Sequence, residues 1–132
     1  MKYNYNTPEM AVKSLEKAYT IEDLDGVFES KDFKAEAFLM LKRQGKPFDP
    51  YDIEQLKEME DLVKLTLLKG LEENGYPDFA GSHIELSDLT PFIENIYVAN
   101  EKIIYSNETL YFNKVYLSFN NEQWKVAMVE VG

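Results

Sequence analysis

IENIYVANEKIIYSNETLYFNKVYLSFNNEQWKVAMVEV, residues 93–131, is dense in Ile, Val, Tyr and Phe and is broken twice by short polar stretches. Those breaks, Ser106-Asn107-Glu108 and Asn120-Asn121-Glu122, have the chemistry of hairpin turns, so strands are expected over Ile93–Tyr105, Thr109–Phe119 and Gln123–Val131. Connections this short force antiparallel pairing. Asn107-Glu108-Thr109 also matches a glycosylation sequon, but its position between two strands reads as a turn. In the last strand Trp124, Val126 and Met128 alternate with Lys125, Ala127 and Val129, which predicts one core face and one partly covered face. A shorter strand is expected over Ile84–Leu89.

Upstream of His83 the period changes to that of helices. Thr7-Pro8-Glu9 is a helix start, with a side-chain cap followed by a proline whose missing N–H leaves no hydrogen bond unmade. Ala11, Val12, Leu15, Ala18 and Tyr19 then form a buried stripe to about Tyr19, with Lys13, Glu16 and Lys17 mostly outside. Thr20 is expected to cap a short second helix through Phe28, and Asp32 a third through Leu41, stopped by Gly45 and Pro47. Asp49-Pro50 repeats the start signal and opens the longest segment, Tyr51 to Leu71. Along it Ile53, Leu56, Met59, Val63, Leu67 and Leu71 step on one face, and Glu54, Glu58 and Asp61 on another. Asn74-Gly75-Tyr76-Pro77 ends it. Helices first and a meander afterwards define an α+β class, with N-terminal helices packed on a curved antiparallel sheet.

The 132 residues fit one domain, 1–132, and 45% hydrophobic content is ample for a core. With no cysteine, disulfides, thiolate metal sites and a Cys nucleophile are excluded. One histidine, His83, excludes a His-pair metal site. Charged residues interrupt the first 30 positions where a signal peptide would be apolar, and no apolar run reaches membrane-span length, so a cytoplasmic location is expected. The net charge of −10 disfavours nucleic acid and anionic membrane as partners.

Several stretches resemble the nuclear transport factor 2-like superfamily: Thr7-Pro8-Glu9-Met10-Ala11-Val12, Asp23-Leu24-Asp25-Gly26-Val27, Lys31-Asp32-Phe33-Lys34-Ala35-Glu36-Ala37 and Trp124-Lys125-Val126. Within it, the likeness is to the bacterial branch of immunity proteins. The resemblance implies a cystatin-like cone of helices on a bent sheet, and a non-catalytic inhibitor that neutralises a cognate toxin by binding it. The segment from Pro47 to Gly75 is longer than the usual link between helices and sheet. The superfamily also holds isomerases, cyclases and dehydratases, so the fold does not decide the activity.

An isomerase of this shape needs an acidic base and a Tyr or protonated Asp that stabilises an enolate in a dry cavity. Asp88, His83 and the strand tyrosines Tyr97, Tyr105, Tyr111 and Tyr116 supply the types. Strand tyrosines, however, most often pack, and a lone His is most often a solvated bystander. His83, Tyr97, Tyr111 and Trp124 are the candidates for lining a cavity. Asp23-Leu24-Asp25-Gly26 lacks the later ligands of a calcium loop, and Gly70, Gly75 and Gly81 make no phosphate loop, so neither metal nor cofactor is expected.

The charge is unevenly spread. Residues 1–46 carry eight basic and eight acidic side chains, residues 102–132 three of each, and residues 47–101 three basic against thirteen acidic. Glu54, Glu58, Asp61, Glu72, Glu73, Asp78, Glu85 and Asp88 therefore form the candidate surface for a basic protein partner. Phe48, Tyr76 and Phe79 flank it as candidate anchors. The expectation is a partner-binding inhibitor of a basic toxin. The alternatives are a small-molecule isomerase or ligand binder using a cone cavity, and a homodimeric scaffold pairing through the sheet.

Overall fold

The computed structural model describes residues 2–45, 49 and 52–131. Helices α1 (Pro8–Thr20), α2 (Leu24–Ser30), α3 (Phe33–Arg43) and α4 (Ile53–Asn74) precede strands β1 (His83–Leu86), β2 (Thr90–Ile93), β3 (Ile96–Ile104), β4 (Leu110–Asn120) and β5 (Gln123–Val131). The strands form one antiparallel open sheet in the order β1-β3-β4-β5, and β2 also pairs with β3. This is the expected α+β arrangement, consistent with a cone-like fold.

Each helix starts on a side-chain cap. Thr7 Oγ1 accepts from Met10 N at 3.1 Å and Asp32 Oδ1 from Ala35 N at 3.0 Å, as the sequence implies. The other two starts differ. Thr20 stays inside α1, donating to Glu16 O, and Asp23 caps α2 after a left-handed residue at Glu22 (φ 56°). Asp52, rather than Asp49, caps α4. The expected Pro47 stop and the Pro50-Tyr51 start lie outside the described residues, as does Phe48.

The expected strand Ile93–Tyr105 is two strands, because the turn at Glu94-Asn95, with Glu94 at φ 51°, folds β2 back on β3. Asn121 and Glu122, both at positive φ, make the two-residue turn between β4 and β5. Within that hairpin a bulge between Tyr116 and Leu117 changes which side chains share a face. Val126 packs in the cluster of Val12, Leu15, Val115 and Leu117, whereas Ala127 and Met128 pack with Ala35, Leu39, Ile96 and Tyr116. Val129 and Val131 return to the side of Val126. Strict alternation therefore fails after Val126, and Met128 parts from Trp124 and Val126. Neighbouring residues of β4 fall in different clusters, so α1 and α3 cover opposite faces of the β4–β5 half.

The free edge of β5 is occupied. Trp124 N donates to Tyr5 O, Asp32 N donates to Val126 O, and Lys31 bridges Val126. Asp32 Oδ2 also accepts from Ser118 Oγ at 2.6 Å, joining α3 to β4. Nearby, Tyr3 Oη donates to Asp23 Oδ2 at 2.6 Å directly over Gly26, where an added Cβ would lie 2.5 Å from that hydroxyl.

α4 contacts mainly α3. At 1.5 Å per residue α4 spans roughly 33 Å and α3 roughly 16 Å, so α3 cannot cover the whole of the longer helix, although Leu67 reaches the core cluster of α1 and the sheet. Accordingly Leu56 alone of its described residues is buried, Met59, Val63, Leu67 and Leu71 are half-buried, and Ile53, expected in the stripe, is 81% exposed.

Two substitutions check these joints by urea denaturation. Asp32→Ala loses a cap and leaves the buried Ser118 hydroxyl without its acceptor, so it should destabilise by about 2–4 kcal/mol. Gly26→Ala should cost about 1–3 kcal/mol by displacing Tyr3 from Asp23.

Candidate functional site

One face of β3, β4 and β5 and one side of α1 line a half-open cavity of about 390 Å³. This is within the range of roughly 300–1,000 Å³ typical of small-molecule sites. Its walls are apolar, formed by Val12 and Leu15 of α1 and by Ile103, Val115, Val126 and Val129 of the sheet. Its mouth is aromatic. Phe79 stacks on Tyr105 with ring centroids 6.2 Å apart, and Tyr105 meets Tyr111 edge-on at 5.4 Å. The loop carrying Phe79 is held to the end of α1 by Phe79 N donating to Thr20 Oγ1 at 2.9 Å.

Into this apolar chamber project three carboxyl groups and one ammonium. Glu16 arrives from α1, Glu36 from α3, Glu101 from β3 and Lys31 from the segment between α2 and α3. Lys31 Nζ lies 3.0 Å from Glu36 Oε1, and both side chains are largely covered, so this pair is self-compensating. Glu101 is only 3% exposed. Its Oε1 accepts from Asn113 Nδ2 at 3.3 Å, while Oε2 has no protein N–H or hydroxyl donor. The neighbouring Glu16 carboxyl is the group that can supply one. Burial, reinforced by a hydrogen bond to Glu101 and by that group's negative charge, pushes the Glu16 pKa up to about 9. Glu16 therefore holds a proton at neutral pH and can donate it to Glu101. Burial, with Glu36 adding to it, also pushes the Tyr19 hydroxyl up to about 12, so it stays a neutral donor.

Of the residues singled out in the sequence as cavity candidates, Tyr111 lines this chamber. His83 has a side chain 70% exposed and stands 4.0 Å from Glu85, on a shallow depression between α1 and β1. Tyr97 and Trp124 pack edge-on against each other at 5.2 Å, and Phe119 packs on the same indole. Asp88 is exposed, and Tyr116 lies in the α3 cluster. Glu16, expected outside, is mostly inside. Its place between Val12 and Tyr19 on the helical repeat was the available signal, and its charge argued the other way. Glu101 was legible in the same manner, as a carboxylate in register with Ala99, Ile103 and Tyr105 on one face of a strand.

The eight acidic residues proposed for a partner surface are all exposed. Glu54, Glu58, Asp61 and Glu72 fall on one stripe of α4 at intervals of three and four that also contains Leu65 and Leu68. Glu73 stands near the end of the same helix, Asp78 on the following loop, and Glu85 and Asp88 on and after the edge strand β1. Lys57 pairs with Asp61 at 2.7 Å and Lys69 approaches Glu73 at 3.9 Å, whereas Glu54, Glu58 and Glu72 have no ion-pair partner among the described residues. Tyr76 is half-buried, and Phe79 is committed to the cavity mouth. Among the described residues no group of His, Asp or Glu is arranged to hold a metal ion, and no helix is long and apolar enough to cross a membrane.

No family model matches the chain, and no curated protein sequence matches it. Its fold is similar to the solved structure of a phospholipid-binding protein from Ralstonia solanacearum in complex with a phospholipid. The TM-score is 0.53 at 14% identity, over 94% of this chain and 75% of that one. The likeness extends to the α+β arrangement of helices over an antiparallel sheet.

The raised Glu16 pKa fixes the sign of a pH effect. Below about 4.5 the group is protonated in both folded and unfolded chains; as the pH rises towards 9 only the unfolded chain releases the proton, so stability falls through that window. Glu16→Gln, which is neutral throughout, should match the parent near pH 4 and exceed it by about 1–3 kcal/mol at pH 8 in thermal melts.

Proposed function

We propose that this chain is a non-catalytic binding protein, a nuclear transport factor 2-like domain of the immunity type that neutralises a basic toxin in the cytoplasm. One observation carries the reading: the outward stripe of α4, in which Leu65 (63% exposed) and Leu68 are set among Glu54, Glu58, Asp61 and Glu72. Leu62 (54% exposed) stands beside it. Leucines left in water on the side of a helix away from its neighbour have no role in this chain's core, and an apolar patch of this kind rimmed by polar residues marks an interaction site. The carboxylates around them, of which Glu54, Glu58 and Glu72 have no ion-pair partner among the described residues, select a cationic surface, speed its encounter and reject acidic competitors. A toxin that cleaves nucleic acid or binds phosphate presents such a surface. The order of helices and strands supports the superfamily assignment, and the uncovered length of α4 gives the long Pro47–Gly75 segment a purpose.

A second reading, a small-molecule binder or isomerase, is supported by the cavity and its carboxyl pair. The phospholipid of the Ralstonia solanacearum neighbour does not suit that chamber, because a phosphate there would meet Glu16, Glu36 and Glu101 against a single Lys31.

Affinity capture from the native cell extract, eluted with rising salt and identified by mass, should return a basic protein in stoichiometric amount. With that pair purified, the triple variant Glu54→Lys, Glu58→Lys, Asp61→Lys should slow association about 10–100-fold and flatten its salt dependence. Leu65→Ala should act mainly by hastening dissociation. An unchanged affinity and salt profile in the charge-reversed variant would remove the α4 surface from the account.

A further inference from the structure

The chamber holds an unmet requirement that the α4 surface does not touch. Glu101 is almost fully buried, lines the cavity, and has one oxygen that receives no N–H, the available donor among the described residues being the acid proton of Glu16. A buried carboxylate whose partner is another acid rather than a cation is left with its charge uncompensated, which is costly, and the other groups facing it offer little relief. Lys31, the one ammonium lining the chamber, is engaged by Glu36 at 3.0 Å, and Asn113 serves the other oxygen of Glu101. The remaining polar groups of the wall are the Glu16 carboxyl and the hydroxyls of Tyr19, Tyr105 and Tyr111. Lys13 acts on Glu16 from outside the wall and weakly favours its charged form. With Lys31 and Glu36 cancelling, the cavity carries a surplus of negative charge. The walls around it are aliphatic, and the aromatic rings of Phe79, Tyr105 and Tyr111 also line it.

We propose that the cavity binds a small amphipathic monocation, an amine on an apolar or aromatic body, with its ammonium group donating to Glu101 and its body against the aliphatic wall. One positive charge is what the chamber lacks, and an ammonium brings charge-assisted hydrogen bonds to Glu101 that the neutral Glu16 carboxyl does not match. A dication would exceed the deficit, and an anion would add to it. The volume of about 390 Å³ admits a body of one ring or a short alkyl chain. The inference rests on the cavity reading and is independent of any toxin.

Calorimetric titration of the full chain at pH 7 with 2-phenylethylamine and with its neutral counterpart 2-phenylethanol tests both layers. The amine should bind at least about tenfold more tightly than the alcohol. Glu101→Gln, which keeps the shape, should reduce amine affinity by about tenfold or more and leave the alcohol within about twofold. Glu16→Gln should retain the preference for the amine, because it preserves the Glu101 carboxylate. A thermal melt of each variant confirms folding. Equal affinities for amine and alcohol, or an amine affinity unaltered in a folded Glu101→Gln variant, would overturn the inference while leaving the cavity a binding site. Absence of binding by both probes would overturn the inference and the cavity reading together.

Discussion

Asp32 is bonded in three directions, and the arrangement of the layers depends on it. Its Oδ1 caps α3, its Oδ2 accepts from Ser118 on β4, and its N–H donates to Val126 on β5. One residue therefore starts a helix, closes the open edge of the sheet and sets the position of that helix against the β4–β5 hairpin. Because Lys31 and Glu36 flank it, the same joint delivers an ion pair to the cavity wall. Because α4 packs on α3, it also determines which side of α4 is turned away from the protein.

Two acidic features result, and their physics differs. On α4 the carboxylates are exposed, screened by salt and cheap to maintain, so the field they create reaches outward into solvent. In the chamber, Glu101 is shielded from water, and burial together with that neighbour keeps a proton on Glu16. Their effect is short-range and stringent, because any occupant must satisfy a specific carboxylate. An acidic stripe with leucines in it fits recognition of a large surface, and an acidic pair in an apolar chamber fits recognition of a small body.

Much of the architecture was legible because it is encoded locally. Thr7 and Asp32 announced their helices through capping chemistry, the Asn and Glu turns announced the hairpins, and Ile, Val, Tyr and Phe density located β3 to β5. The departures arose where distant residues compete with local preference. Thr20 has the chemistry of a cap, yet it is spent on Phe79 N, 59 residues away, so α2 begins at Asp23 instead. The bulge opposite Tyr116 and Leu117 reverses the alternation in β5, and nothing in Val126-Ala127-Met128 signals it. Among the cavity candidates, Tyr111 was identifiable from strand register, whereas Trp124, Tyr97 and His83 were read from type alone and lie elsewhere.

The sequence by itself determined the class of fold, the concentration of negative charge between residues 47 and 101, and the exclusion of thiol and His-pair chemistry. These follow from composition and short-range pattern, which need no knowledge of what lies opposite. Only the tertiary structure decided that Glu16 and Glu101 face each other, that Lys31 is already taken by Glu36, and that the leucines of α4 look outward. Those facts depend on contacts between residues far apart in the chain, and the free energy of a buried charge is set by such neighbours and by the water they exclude.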